Sequence, residues 1–201
     1  NYVAVAYRTD LGGSNITFSK RAIEFIRKNA PCYVMIGDFT GFFDNLDHQY
    51  LKRQWCSLLG EPFLPDDHHA VFKNVTKYSK WERSDLLALN NLADTKDGVK
   101  KLNAKPTVLT KEQFITNRSH IIKNPNSFGI PQGSPISAVL ANIYMLDTDK
   151  QVNALVQALN GMYMRYSDDF IVVIPERAGT NVLDDLNKVI DRIFTISTNF
   201  C

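Results

Sequence analysis

Three aspartates carry the first suggestion of chemistry in this sequence. Asp38 closes the apolar run Cys32–Asp38, and Asp168 and Asp169 stand side by side between two further apolar runs, 162–166 and 170–174. Short apolar runs with β-branched residues read as strands, and two acids between such runs read as the tip of a β-hairpin. Taken alone, an Asp-Asp pair at a tip is ordinary turn chemistry. A third acid ending another buried strand changes that reading, because strands laid side by side would bring like charges together and call for a cation. Magnesium suits such a set, since it takes oxygen ligands and is commonly held by one or two carboxylates plus substrate phosphates. Two such ions about 4 Å apart can activate an attacking 3′-hydroxyl and stabilise a leaving pyrophosphate in an in-line displacement. Asp38, Asp168 and Asp169 are therefore the candidate catalytic and metal-holding side chains.

The elements that must position these acids are legible in the spacing of apolar residues. Ser14 can cap a helix carrying Ile16, Ala22, Phe25 and Ile26 on one stripe, and Pro31 stops it before the strand that ends at Asp38. Leu46 to Leu59 has helical spacing with Gly60 as its stop, and Pro65 with Asp66 opens another helix through Val71, Val75 and Tyr78. From about 79 to 127 no periodicity is evident; the segment carries Lys96, Lys100, Lys101, Lys105, Lys111, Arg118 and Lys123 against Asp97 and Glu112. Gly129 to Pro135 is turn-rich, and Ser134 with Pro135 starts what reads as one long helix reaching Leu159 and ended by Gly161. The hairpin follows, and then an amphipathic helix over about 181–194. This order predicts an α+β fold in which a small antiparallel sheet packs on helices.

Composition sets looser bounds. A chain of 201 residues with 44% hydrophobic content can bury a substantial core in one or two domains. A net charge of +2 permits a polyanionic partner without requiring one, so the local basic segment matters more than the total. Within it, Lys100, Lys101, Lys105, Arg118 and Lys123 are candidates for phosphate contacts, with a solvated surface loop as the alternative. Cys32, Cys56 and Cys201 lie far apart with no zinc spacing, which reads as reduced thiols in a cytoplasmic protein. No apolar run approaches the roughly 18–20 residues of a membrane span, so no membrane partner is expected. The chain opens at Asn1, without a methionine, and reads as a piece of something larger.

Four elements, taken in order, resemble the boxes of reverse transcriptases. Tyr166-Ser167-Asp168-Asp169 resembles their Tyr-x-Asp-Asp box, and Asp38-Phe39-Thr40-Gly41-Phe42-Phe43-Asp44 resembles their first catalytic box. Phe128 to Pro135 is similar to their nucleotide-pocket box, and Tyr7-Arg8 followed by Gly12-Gly13-Ser14 resembles a fingers element upstream. The flavour is nearest the bacterial non-viral types, namely group II intron, retron and abortive-infection enzymes, with the retron or phage-defence side favoured. The resemblance implies a right-hand polymerase palm with partial fingers: 1–35 as fingers and 36–201 as palm, with a basic insertion at about 79–127.

It also implies roles. Asp38, Asp168 and Asp169 would hold two magnesium ions, with manganese as a substitute and the Phe39 carbonyl as a further ligand. Phe43 would be the aromatic gate that excludes a ribose 2′-hydroxyl, although its plain reading is a core aromatic. Gln132, Gly133 and Tyr166 would line the incoming nucleotide, and Arg8 would meet its triphosphate through bidentate contacts. The implied partners are an RNA template, a DNA primer and product, and deoxynucleoside triphosphates. The chain departs from the family in having no second basic residue near Gly13 before Lys20. Asp44, Asp47 and His48 point by helix phase to packing or capping, and His68-His69 lacks metal spacing. The rival readings are an RNA-templated RNA polymerase, untemplated DNA synthesis, and a non-catalytic nucleic-acid-binding scaffold.

Overall fold

The computed structural model describes residues 3–8, 12–176, 184, 186–191 and 193. Its core element is a three-stranded antiparallel sheet of β1 (Cys32–Asp38), β5 (Asp169–Pro175) and β4 (Met162–Tyr166), in the order β1-β5-β4. The register runs from Cys32 opposite Pro175 to Asp38 opposite Asp169, and β4 closes the hairpin with Tyr166 opposite Asp169. Outside β4 the N-terminal segment adds a parallel bridge, with the Val5 amide donating to the Arg165 carbonyl at 2.9 Å and the Arg165 amide to the Val3 carbonyl at 2.9 Å. The expected α+β class and small antiparallel sheet are what the chain adopts.

Helix α1 (Asn15–Lys28) begins where Ser14 and Thr17 form a capping box, satisfying amides that the first turn leaves unbonded. Helix α2 (His48–Leu59) starts later than its apolar pattern suggests, because Phe42–Asn45 is a short 3₁₀ turn and Asp47 caps the helix by accepting from the Tyr50 amide at 2.6 Å. Gly60 ends it in the left-handed region, at φ 71°. Helix α3 (Asp66–Thr76) follows.

Two expectations need correction. The run from Ser134 to Leu159 is two helices, α7 (Pro135–Tyr144) and α8 (Leu146–Ala158), divided at Met145; helical spacing continues across the break, so apolar pattern alone could not reveal it. Strand β1 is an edge strand and not fully buried, with Ile36 74% exposed. A short apolar run cannot tell an edge from a centre, since that depends on how many neighbours the sheet supplies.

The segment without periodicity is structured. It holds α4 (Arg83–Leu89), α5 (Lys96–Asn103) and α6 (Lys111–Thr116), and its base is clasped by the pairing of β2 (Ser79–Lys80) with β3 (Ile122–Lys123). These helices are too short for a periodic signal to accumulate, and Thr95 and Thr110 cap the starts of α5 and α6. Leu87 and Leu102 are buried within it. Of the expected C-terminal helix, residues 184, 186–191 and 193 are described and helical, and Val189 and Ile193 join the core beneath the sheet; the rest of 181–194 lies outside the described residues. No described helix is long and apolar enough to cross a membrane.

Candidate active site

Strand pairing brings the distant acids together. Asp38 faces Asp169 across the β1–β5 ladder, and the Phe39 amide donates to the Asp168 carbonyl at 3.1 Å, extending the pairing one step past the strand end. Residues directly opposite in an antiparallel pair have Cβ atoms roughly 4.5–5.5 Å apart on the same face, so both carboxylates reach one small volume. Gly37 contributes by having no side chain: a Cβ there would lie 2.3 Å from the Phe170 ring, which crosses the strand beside Asp38. Asp38 and Asp169 are exposed and Asp168 is half-buried.

The donor set fits a hard divalent cation, because it consists of carboxylate oxygens at an open sheet end with room for phosphate oxygens to complete the shell. It is not a finished cage. Among the described residues no group of three or more His, Cys, Asp or Glu side chains is gathered closely enough to enclose an ion, so the expected convergence of three carboxylates is only partly met. The cause is the hairpin itself: Asp169 belongs to the strand, while Asp168 sits in the two-residue turn. The Phe39 carbonyl already accepts from the Phe42 amide at 3.1 Å, which leaves it one further lone pair.

The turn rests on a polar network that sequence reasoning missed. Ser167 has φ 61°, a left-handed conformation that costs a non-glycine residue about 1–2 kcal/mol and persists only where neighbours hold it. Arg165, with no exposed surface, donates through Nη1 to the Ser167 carbonyl at 2.6 Å. Its Nε and Nη2 grip the two carboxylate oxygens of equally buried Asp149 at 2.9 and 2.8 Å, and the Tyr163 hydroxyl donates to Asp149 at 2.9 Å. Burial alone opposes the guanidinium charge, but the bonds and charge of Asp149 outweigh it and hold the Arg165 proton more tightly than usual. Burial first, and then the Asp149 charge, push the Tyr163 phenol well above its ordinary 10.0. A signal was present: Arg165 is the one charge in an otherwise uncharged strand, and Asp149 shares a helical stripe with Val152 and Val156. A charged residue on an apolar stripe implies a buried partner.

The other expected site residues fall around this tip. The Tyr7 hydroxyl donates to Ser167 Oγ at 3.3 Å, its ring stands 6.5 Å from that of Tyr166, and half-buried Arg8 follows directly. The loop before α7 is tied to the first acidic segment, since the Ile130 amide donates to the Phe43 carbonyl at 2.9 Å and the Gly129 amide to the Leu46 carbonyl at 2.9 Å. His48 Nε2 adds a 2.7 Å bond to the Gly129 carbonyl, a packing role in keeping with its helix phase. Gln132 and Gly133 are exposed in that loop; Gly133 has φ 89° with open space around it, so backbone conformation and not crowding calls for glycine. Phe43 is 8% exposed and packs edge-on against Phe42, in the setting of a core aromatic. Lys100, Lys101, Lys105, Arg118 and Lys123 are all exposed on the insertion, where Lys101 pairs with Asp97 and Lys105 donates to Asn90.

No family model matches the chain. Over 57 residues, 28% of the chain, it is 39% identical to the Retron Mx162 reverse transcriptase of Myxococcus xanthus, covering 11% of that protein. In fold it is similar to apo telomerase from Candida tropicalis truncated from the C-terminal domain, with TM-score 0.50 and 15% identity over 96% of this chain and 32% of that one. It is likewise similar to telomerase from Candida tropicalis in complex with a TWJ fragment of telomeric RNA, with TM-score 0.52 and 16% identity over 97% of this chain and 28% of that one. The chain thus spans about a tenth of its curated relative and about a third of these structural ones.

Proposed function

We propose that the chain belongs to the reverse transcriptase family and is the catalytic palm, with part of the fingers, of an RNA-directed DNA polymerase that extends a primer 3′-hydroxyl with deoxynucleotides. The observation that carries this reading is the register that sets Asp38 opposite Asp169 with Asp168 bonded beside them. The retron relative, itself a reverse transcriptase, supports an RNA template.

Asp38 and Asp168 would hold two magnesium ions, or manganese in their place, with Asp169 and the Phe39 carbonyl as further donors. Ions bound there supply activation of the attacking oxygen and neutralise the phosphate charge. The chain's own residues do the rest by position, which suffices because phosphoryl transfer asks little covalent chemistry of a protein. The loop through Gln132 and Gly133, strapped to Phe43 and Leu46, lines the incoming nucleotide on one side, and Tyr166 on the other. Arg8, set next to the tip by Tyr7, receives the triphosphate through its planar guanidinium. Residues 1–35 form the fingers portion, and the exposed lysines and Arg118 of the insertion meet the nucleic-acid backbone.

The test is incorporation by the full-length protein with magnesium, either dNTPs or NTPs, and primed RNA, primed DNA or no template. Asp168→Asn is expected to lower incorporation at least about a thousandfold, because it weakens a charge-stabilising site worth several kcal/mol, while leaving the unfolding temperature unchanged. Near-normal incorporation by that variant would refute the assignment, and preference for NTPs would point to an RNA polymerase. Phe43→Val is expected to admit ribonucleotides; an unchanged sugar preference would leave Phe43 as a core aromatic only.

A further inference from the structure

Ser167 is held from several directions, and the strongest hold comes from a residue with no path to a substrate. The Arg165 guanidinium uses its Nε–Nη2 edge on the Asp149 carboxylate, an Nη1 N–H on the Ser167 carbonyl at 2.6 Å, and the second Nη2 N–H on Asn142 Oδ1 at 3.2 Å. Asn142 in turn donates to the Ala6 carbonyl at 3.1 Å, in the segment whose next residue, Tyr7, bonds the Ser167 hydroxyl. One buried cation thereby ties together α8, α7, the N-terminal segment and the peptide that precedes Asp168. A planar fork with five donors at fixed angles can do this; a lysine ammonium cannot satisfy the carboxylate and a carbonyl on its far side at once.

We infer that Arg165 is a positioning residue for nucleotidyl transfer: locked in place by Asp149, it holds Ser167 in its left-handed turn and so sets Asp168 beside the facing Asp38–Asp169 pair. This rests on the reading that the tip carries the cation-holding carboxylates. The alternative is that the pair merely stabilises the fold, and buried ion pairs can often be replaced by apolar residues without loss of stability. That fact separates the two roles.

The experiment uses the full chain with Arg165→Met combined with Asp149→Leu, and separately Arg165→Lys. Four quantities are read: the denaturant unfolding midpoint, hydrogen exchange of the Phe39 amide, which donates to the Asp168 carbonyl, steady-state dNTP incorporation, and Mn²⁺ affinity by titration. The paired replacement is expected to unfold near the parent midpoint, yet to show faster Phe39 exchange and a loss of about 10- to 100-fold in kcat and Mn²⁺ affinity, the range typical of residues that orient ligands. The KM for dNTP should change little, and Arg165→Lys should not rescue. A stable paired variant that keeps parent kcat and parent Phe39 exchange overturns the inference, as does full rescue by lysine. If the paired variant fails to regain the midpoint, Arg165→Lys carries the same readouts. Asp168→Asn should abolish incorporation with Phe39 protection intact; a parent protein that incorporates nothing defeats the polymerase reading alone, and the positioning role is then decided by Phe39 exchange and Mn²⁺ affinity.

Discussion

Beneath the hairpin tip, Arg165 and Asp149 hold one another with no surface exposed, whereas the insertion between Ser79 and Lys123 keeps its charge pairs in solvent: Arg83 with Asp94, Lys101 with Asp97, and Lys80 with Glu82. The chemistry of the pairs is the same, and the consequences differ. In water an ion pair gains little over its separately hydrated charges, so the insertion's pairs leave its cations exchangeable and open to a polyanion. In the interior each partner is costly without the other, so geometry becomes obligatory, and the buried pair fixes the direction of every bond around it. One region of this molecule uses charge for position and the other presents it to solvent.

The comparison can be broken most forcefully at Asp149. Asp149→Ala leaves the Arg165 cation uncompensated and is expected to cost about 3–5 kcal/mol in denaturant unfolding; a cost below about 1 kcal/mol, in the surface range, would erase the distinction. Tyr163→Phe removes one bond to the same carboxylate and should cost about 1.5 kcal/mol near neutral pH. It should also alter the alkaline limb. A phenol whose folded pKa is raised above its unfolded value near 10.0 contributes stability that is complete below that pH and is lost as the pH climbs through the folded value. Thermal unfolding above pH 10 should therefore fall less steeply in the variant than in the parent; parallel curves would contradict the shift. On the exposed side, replacing Lys100, Arg118 and Lys123 with glutamine should leave the unfolding midpoint in place. The same replacement should make nucleic-acid binding less sensitive to salt, the log–log slope flattening by about 0.7–0.9 for each phosphate that is no longer neutralised. An unchanged slope would make the insertion a solvated surface and no part of the binding track. Smallest of all, Lys101→Ala should cost no more than about 0.5 kcal/mol in the same unfolding assay.

Much of the site is legible in the sequence because its parts are local signals. Strand ends, a hairpin tip and a turn-rich loop each announce themselves within a few residues, and they mark Asp38, Asp168, Asp169 and Gly133 without help from the tertiary structure. The break at Met145 is hidden because both halves keep apolar residues at helical spacing. The insertion is illegible for the opposite reason: helices of six to eight residues end before a period can repeat, so Thr95 and Thr110 read as loop where they are caps. Phe43 illustrates a third case, since a gate and a core aromatic share one residue type and differ only in what stands beside the ring.

By itself the sequence determined the chemistry on offer: hard oxygen donors at the ends of apolar strands, a glycine-bearing loop before a helix, and a surplus of cations in one segment. These are properties of residue type and short spacing, and short-range sterics and hydrophobicity suffice to read them. Only the tertiary structure decided which acids face one another, that β1 lies at a sheet edge, and that Arg165 finds Asp149 beneath the tip. Such facts depend on register and on contacts between residues far apart in the chain, where the cost of burying an unpaired charge selects a single arrangement that no local pattern contains.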